Sequence, residues 1–128
     1  MESDDSMKAS GAFAQMLAQD FVTITRALEE GRFWINTPGI VTRPSGNLLA
    51  TAQVGDWNDR VRGWKTRILR SSDGGTTWSL LCEQPWYEAS LMAIRDKLYM
   101  VIILWVSTRV EWMGDNVSIV ESADEGAT

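Results

Sequence analysis

The chain has 128 residues, enough for one domain, and a globular composition apart from its seven tryptophans. A formal net charge of −5, with no block of Lys or Arg, argues against a nucleic-acid surface. With no histidine and the single cysteine Cys82, an intramolecular disulfide is excluded and no His/Cys zinc set exists, so neither metal nor other cofactor is expected.

The first residues, Met1-Glu2-Ser3-Asp4-Asp5, are acidic and lack the basic start and apolar run of a secretory signal. Residues 1–9 read as a polar, disordered tail. Over residues 10–31, Phe13, Leu17, Phe21, Ile24 and Leu28 recur at helical spacing, with Ser10 as a cap and Gly31 as a stop. This pattern favours a short N-terminal helix. The β-branched alternation of Phe21-Val22-Thr23-Ile24-Thr25 leaves a strand there as the alternative.

From Phe33 the period changes. Phe33–Pro38 reads as a loop, Gly39–Thr42 as a strand, Arg43–Asn47 as a turn and Leu48–Ala52 as its return partner. A polar and aromatic loop, Gln53–Trp64, leads to a third strand over Lys65–Arg70. Then comes Ser71-Ser72-Asp73-Gly74-Gly75-Thr76-Thr77-Trp78, followed by strand-like Ser79-Leu80-Leu81. In this turn the Asp and hydroxyl side chains can bond nearby backbone groups, and the glycines supply positive φ. Trp78 brings a large apolar area to bury beside the turn. Four strands in order make an antiparallel meander over residues 32–88.

A second copy covers residues 89–128. Ala89–Ile94 and Leu98–Leu104 are strands around Arg95-Asp96-Lys97, and the apolar run Leu98–Val106 is too short to cross a bilayer as a helix. No membrane partner is expected. A loop from Trp105 to Asn116 precedes Val117–Glu121 and then Ser122-Ala123-Asp124-Glu125-Gly126-Ala127-Thr128. Asp73 and Asp124 are 51 residues apart, as are Ser71 and Ser122, Gly75 and Gly126, and Thr77 and Thr128. A fixed period of this size is the signature of a repeat array.

The segment Ser71–Trp78 resembles the Asp box, Ser/Thr-x-Asp-x-Gly-x-Thr-Trp, of the sialidase (neuraminidase) and BNR-repeat family, and Ser122–Thr128 resembles it up to the tryptophan. The resemblance implies an all-β fold, a fragment of a β-propeller with about two four-stranded blades. In such a fold the Asp boxes are structural and lie opposite the substrate-binding face. Since propellers close with about 4–8 blades, the chain reads as a piece of a longer protein, expected to associate when alone, with further blades as its partners.

Strand order places the long loops together at the face opposite the Asp boxes. They hold Asp56, Trp57, Asp59, Arg60, Arg62 and Trp64, then Trp86, Tyr87 and Glu88, then Trp105, Arg109, Glu111 and Trp112. Carboxylates and arginines beside aromatic faces suit an acidic sugar, because Arg binds carboxylates bidentately. Arg60, Arg62, Trp57, Trp86, Tyr87, Arg109 and Trp112 are therefore candidate substrate-binding residues. Packing between strands is the competing role for the tryptophans, favoured for Trp34, Trp64, Trp78 and Trp105 and evenly balanced for Trp57, Trp86 and Trp112.

By the same resemblance, a general acid/base Asp lies in the first long loop, which makes Asp59, then Asp56, the candidates. The family's Arg-Ile-Pro, which supplies an arginine for the substrate carboxylate, aligns with Asn36-Thr37-Pro38. The proline is kept and the arginine is not, and Arg32 lies too early in the chain to replace it simply. The tyrosine nucleophile of retaining sialidases has no counterpart that can be assigned. The expectation is glycan binding or hydrolysis in a longer parent. The alternatives are a non-catalytic propeller that binds proteins or carbohydrates, and a degenerate piece with no function of its own.

Overall fold

The computed structural model describes residues 21–29, 31–59, 63–104 and 116–127. Among the described residues seven strands follow one another: β1 (Phe33–Thr42), β2 (Leu48–Asp56), β3 (Lys65–Ser71), β4 (Ser79–Gln84), β5 (Tyr87–Ile94), β6 (Lys97–Leu104) and β7 (Asn116–Ser122). They form two antiparallel sheets, a four-stranded meander β1-β2-β3-β4 and a three-stranded meander β5-β6-β7. The fold is all-β, as expected.

The expected N-terminal helix is not formed where it can be followed. Residues 21–27 have no regular structure, 28–29 form a bend, and Phe21 and Leu28 are 75% and 78% exposed. Val22, Thr23, Ile24 and Thr25 lose χ1 freedom in a helix. Arg67 also donates to Thr25 Oγ1 (3.0 Å) and to the Arg26 carbonyl (3.1 Å), which holds the segment open against β3. The strand alternative at Phe21–Thr25 is likewise not taken up. The tail at 1–9 and the first part of the helix lie outside the described residues.

Three loops are shorter than the sequence suggests, since Gln53–Asp56 of the expected loop Gln53–Trp64 extends β2. Phe33–Pro38 belongs to β1, because Phe33, Trp34, Ile35 and Asn36 pair with Asp56, Gly55, Val54 and Gln53. The register slips between Asn36 and Gly39, where Thr37 takes φ +47° and Pro38 cannot donate to the ladder. At the far end of the sheet, β4 runs to Gln84 and β5 starts at Tyr87, so only Pro85 and Trp86 connect the sheets. The slip in β5, between Tyr87 and Ser90, carries Glu88 at φ +46°. Thr37 and Glu88 are also 51 residues apart. The repeat thus includes a bulge that neither side chain announces.

The two turns expected to match do so in detail. Ser71 Oγ donates to Asp73 Oδ1 (2.8 Å) and accepts the Gly75 N–H (2.8 Å). Ser122 Oγ does the same with Asp124 Oδ1 (2.9 Å) and Gly126 N–H (2.8 Å). Gly75 and Gly126 both have φ +94°, in the region closed to most side chains. In the first turn Asp73 also accepts from Thr77 N (2.9 Å) and Thr77 Oγ1 (2.5 Å), and Trp78 Nε1 donates to the Gly75 carbonyl (2.9 Å). Thr128 lies outside the described residues.

The core lies between the sheets. Ile68, Ala89, Met100 and Ile102 are buried there, with Cys82, Trp86, Leu91 and Val120 packed around them. Gly126 closes one end: a Cβ there would lie 3.3 Å from Leu49 and Leu98 side chains and 3.7 Å from Ile68. Beside it, Arg43 Nη2 donates to the Asp96 carbonyl (2.7 Å), which ties the β1–β2 turn to the β5–β6 turn. At the other end Thr66 Oγ1 donates to the Trp86 carbonyl (3.0 Å).

Hydrogen bonds from Thr77, and then from Ser71, hold the Asp73 carboxyl down from 3.8 to about 2. A depressed folded-state value contributes stability that is present above the unfolded value and lost as pH falls through the folded one. Stability should therefore drop as pH is lowered from about 4 to about 2. Urea denaturation of an Asp73→Asn variant across that window should show a smaller loss than the parent. An identical pH dependence in both would contradict the assignment.

Candidate functional site

The end of the first sheet away from the Asp-type turns carries the β2–β3 loop, built tightly at its start. Trp57 N–H donates to the Arg32 carbonyl (2.9 Å), Asp59 N–H to the Asp56 carbonyl (3.1 Å) and Gly63 N–H to the Asp59 carbonyl (2.8 Å). A Cβ on Gly63 would lie 2.5 Å from the Asp59 carbonyl oxygen and 2.7 Å from Asp56 Cβ, so glycine lets the loop close over β2.

Asp56 is bound on both oxygens. Arg32 Nε donates to Oδ1 (3.3 Å) and Arg32 Nη2 to Oδ2 (3.1 Å), while the Asn58 N–H donates to Oδ1 (2.9 Å). The Arg32 hydrogen bond, followed by that from Asn58, holds the Asp56 carboxyl below the ordinary carboxylate range. Such a carboxylate stays ionised near neutrality and is a poor proton donor.

Four aromatic rings form a row from this loop to the second sheet. Trp57 is 47% exposed, and its ring lies 5.7 Å from that of Trp34, tilted by 46°. Trp34 meets Trp64 edge-on at 4.6 Å, and Trp64 meets Tyr87 edge-on at 4.5 Å. These are favoured aromatic geometries. Trp34 lies flat on the backbone of Gly55, where a Cβ would come within 2.2 Å of its indole. Burial, and then the charge of Glu88, push the Tyr87 hydroxyl above its ordinary value.

The structure thus brings Asp56, Trp57, Asp59 and Tyr87 to one end of the sheets. Trp86 is partly buried and packs on the core. Trp34 and Trp64 pack as expected, but as the support of Trp57. Arg60, Arg62, Trp105, Arg109, Glu111 and Trp112 lie outside the described residues. Asn36, in the place where an arginine is expected, is exposed on β1. Among the described residues no cluster of three or more His, Cys, Asp or Glu could hold a metal.

Sequence reasoning missed Arg32 as the partner of Asp56. The signal was partial: continuing the hairpin pairing outward from the turn at Arg43–Asn47 brings the chain before Trp34 toward Asp56, but the register slip between Asn36 and Gly39 is what sets Phe33 opposite Asp56, with Arg32 next to it. Comparison with protein-family models, with curated proteins and with solved structures gives no match for this chain.

Because Gly55 is the bed of Trp34, Gly55→Ala should displace Trp34 and, through it, Trp57 and Trp64. Overpacking of this kind costs about 1–3 kcal/mol. Urea denaturation should show that loss, and near-ultraviolet circular dichroism should change in the tryptophan bands. An unchanged spectrum would mean that the ring row is not a packed unit.

Proposed function

We propose that the two sheets are successive units of an Asp-box β-propeller of sialidase-like type, and that the loop end carrying Trp57 binds a glycan. The observation that carries this reading is a half-exposed indole, braced from behind by Trp34 and flanked by the fixed Arg32–Asp56 pair. A sugar ring offers C–H faces that stack on an aromatic plane and hydroxyls that need preorganised polar partners. Both kinds of group stand here on one rigid strand end.

The propeller assignment is supported by three features that recur at one period: the Ser-Asp-Gly turn, the positive-φ bulge of the first strand, and the meander between them. Binding is favoured over hydrolysis by this chain. Asn36 replaces the expected arginine, the Arg32 guanidinium is paired with Asp56, and Asp56 is held ionised. If hydrolysis occurs in a larger assembly, Asp59 is the acid/base candidate and the nucleophile comes from elsewhere.

Isothermal titration of the chain against acidic and neutral oligosaccharides should give saturable binding to at least one class. Trp57→Ala should weaken it by about tenfold or more, the cost of losing a stacking anchor. Because half of the ring packs on Trp34, thermal denaturation should accompany the titration and show the variant folded at its temperature. No binding to either class, or unchanged binding by Trp57→Ala, would leave the scaffold reading in its place. Turnover of a fluorogenic sialoside that disappears in Asp59→Asn would restore the hydrolytic one.

A further inference from the structure

The face of the first sheet turned away from the core carries a pocket that the loop end does not use. Leu49 reaches Gly126 of the second sheet, so Ala50 and Ala52, on either side of Thr51 along β2, present their methyl groups on the opposite face. Ile40 pairs with Ala50 there and is 59% exposed. Two alanines in this place leave depth that larger side chains would fill. Ile24, from the segment ahead of β1, joins Ile35, Pro38, Ile40, Ala50 and Ala52 around a pocket of about 520 Å³. That volume falls within the range of small-molecule sites, about 300–1,000 Å³.

The walls are uncharged and the rim is cationic. Thr23 lines the pocket, and its hydroxyl accepts from Arg26 Nη2 (3.3 Å), which holds an exposed guanidinium at the edge. Among the described residues Arg26 has no carboxylate partner. Thr25 also lines the pocket and accepts from Arg67 Nη1 (3.0 Å). The acid beside Arg67 is Glu83, already held by Arg67 (2.9 Å) and Lys65 (3.5 Å), so it does not offset the charge of Arg26.

We infer that this pocket binds a small apolar carboxylate of the fatty-acid type. The tail lies on Ala50 and Ala52 between Ile24 and Ile40, and the carboxylate meets the Arg26 guanidinium at the rim, a charge-assisted pairing. A peptide strand is disfavoured, because β2 is paired on both sides by β1 and β3 and offers no free ladder. A sugar is disfavoured as well, because its hydroxyls would be buried against aliphatic walls without partners. The inference uses neither Trp57 nor Asp59 and is independent of glycan binding.

The test is isothermal titration of the full chain with octanoate and with 1-octanol, which share a tail and differ in the head group. Saturable binding of octanoate is expected, with octanol bound more weakly. Arg26→Gln should lower octanoate affinity by about tenfold and leave octanol unchanged, and Ile24→Asp should abolish binding of both. Both positions lie in a segment without regular structure, so thermal denaturation should show the two variants folded like the parent. Absence of saturable octanoate binding, octanol bound as tightly as octanoate, or binding unchanged by Ile24→Asp would overturn the proposal.

Discussion

The structure depends on a carboxylate that replaces a stretch of backbone pairing. At the end of β3 the chain must reverse in a few residues, leaving N–H groups with no strand partner. Asp73 and the Ser71 hydroxyl take them up: Ser71 Oγ accepts from Gly75, and Asp73 accepts from Thr77 and Ser71. The serine bonds to the Asp and Gly recur around Ser122. By pairing these donors within the turn, the network fixes where the meander reverses. It also decides where Gly126 sits, and Gly126 closes the core against Leu49 and Ile68 of the first sheet. One local motif therefore sets both the reversal within a sheet and the fit between sheets.

The opposite end follows a different logic. Its order comes from rings rather than from a carboxylate network, with Trp34 laid on Gly55 and bracing both Trp57 and Trp64. A row of rings in edge contact is stiff, because shifting one member requires the others to repack. It reaches Tyr87 at the start of the second sheet, so the surface around Trp57 is coupled to the sheet–sheet joint. That stiffness is what a preorganised binding surface requires. The proposed glycan-binding end is thus an extension of the fold's packing, and Arg32 and Asp56 contribute a fixed pair of charges to it.

The turns and the strand order were legible in the sequence because they rest on residues with few conformational alternatives. Gly75 and Gly126 mark positive φ, and Asp73 and Ser71 mark self-bonded turns. Alternation in Ala89–Ile94 marks a half-buried strand. The helix at 10–31 was misread over its described part, since spacing alone does not register the β-branched run or the pull of Arg67 on Thr25 and Arg26. The bulges at Thr37 and Glu88 were invisible, as nothing in either side chain asks for a left-handed backbone. At the candidate site the residue types were legible and their partners were not. Asp56 was the second of two candidate acids, and its partner Arg32 came into view only when β1 extended to Phe33; Trp86 was evenly balanced between packing and binding, and the short link between β4 and β5 places it against the core.

The central claim is a division of labour between the two ends: hydrogen-bonded turns that build the fold at one, and a braced indole that meets a sugar at the other. Two-dimensional NMR of the tryptophan side chains tests this most directly, because Trp57 and Trp78 report on opposite ends within one spectrum. On titration with an oligosaccharide, the account predicts that the Trp57 indole N–H resonance shifts in a saturable manner while that of Trp78, bonded to Gly75, stays in place. A shift at Trp78 with none at Trp57 would contradict it.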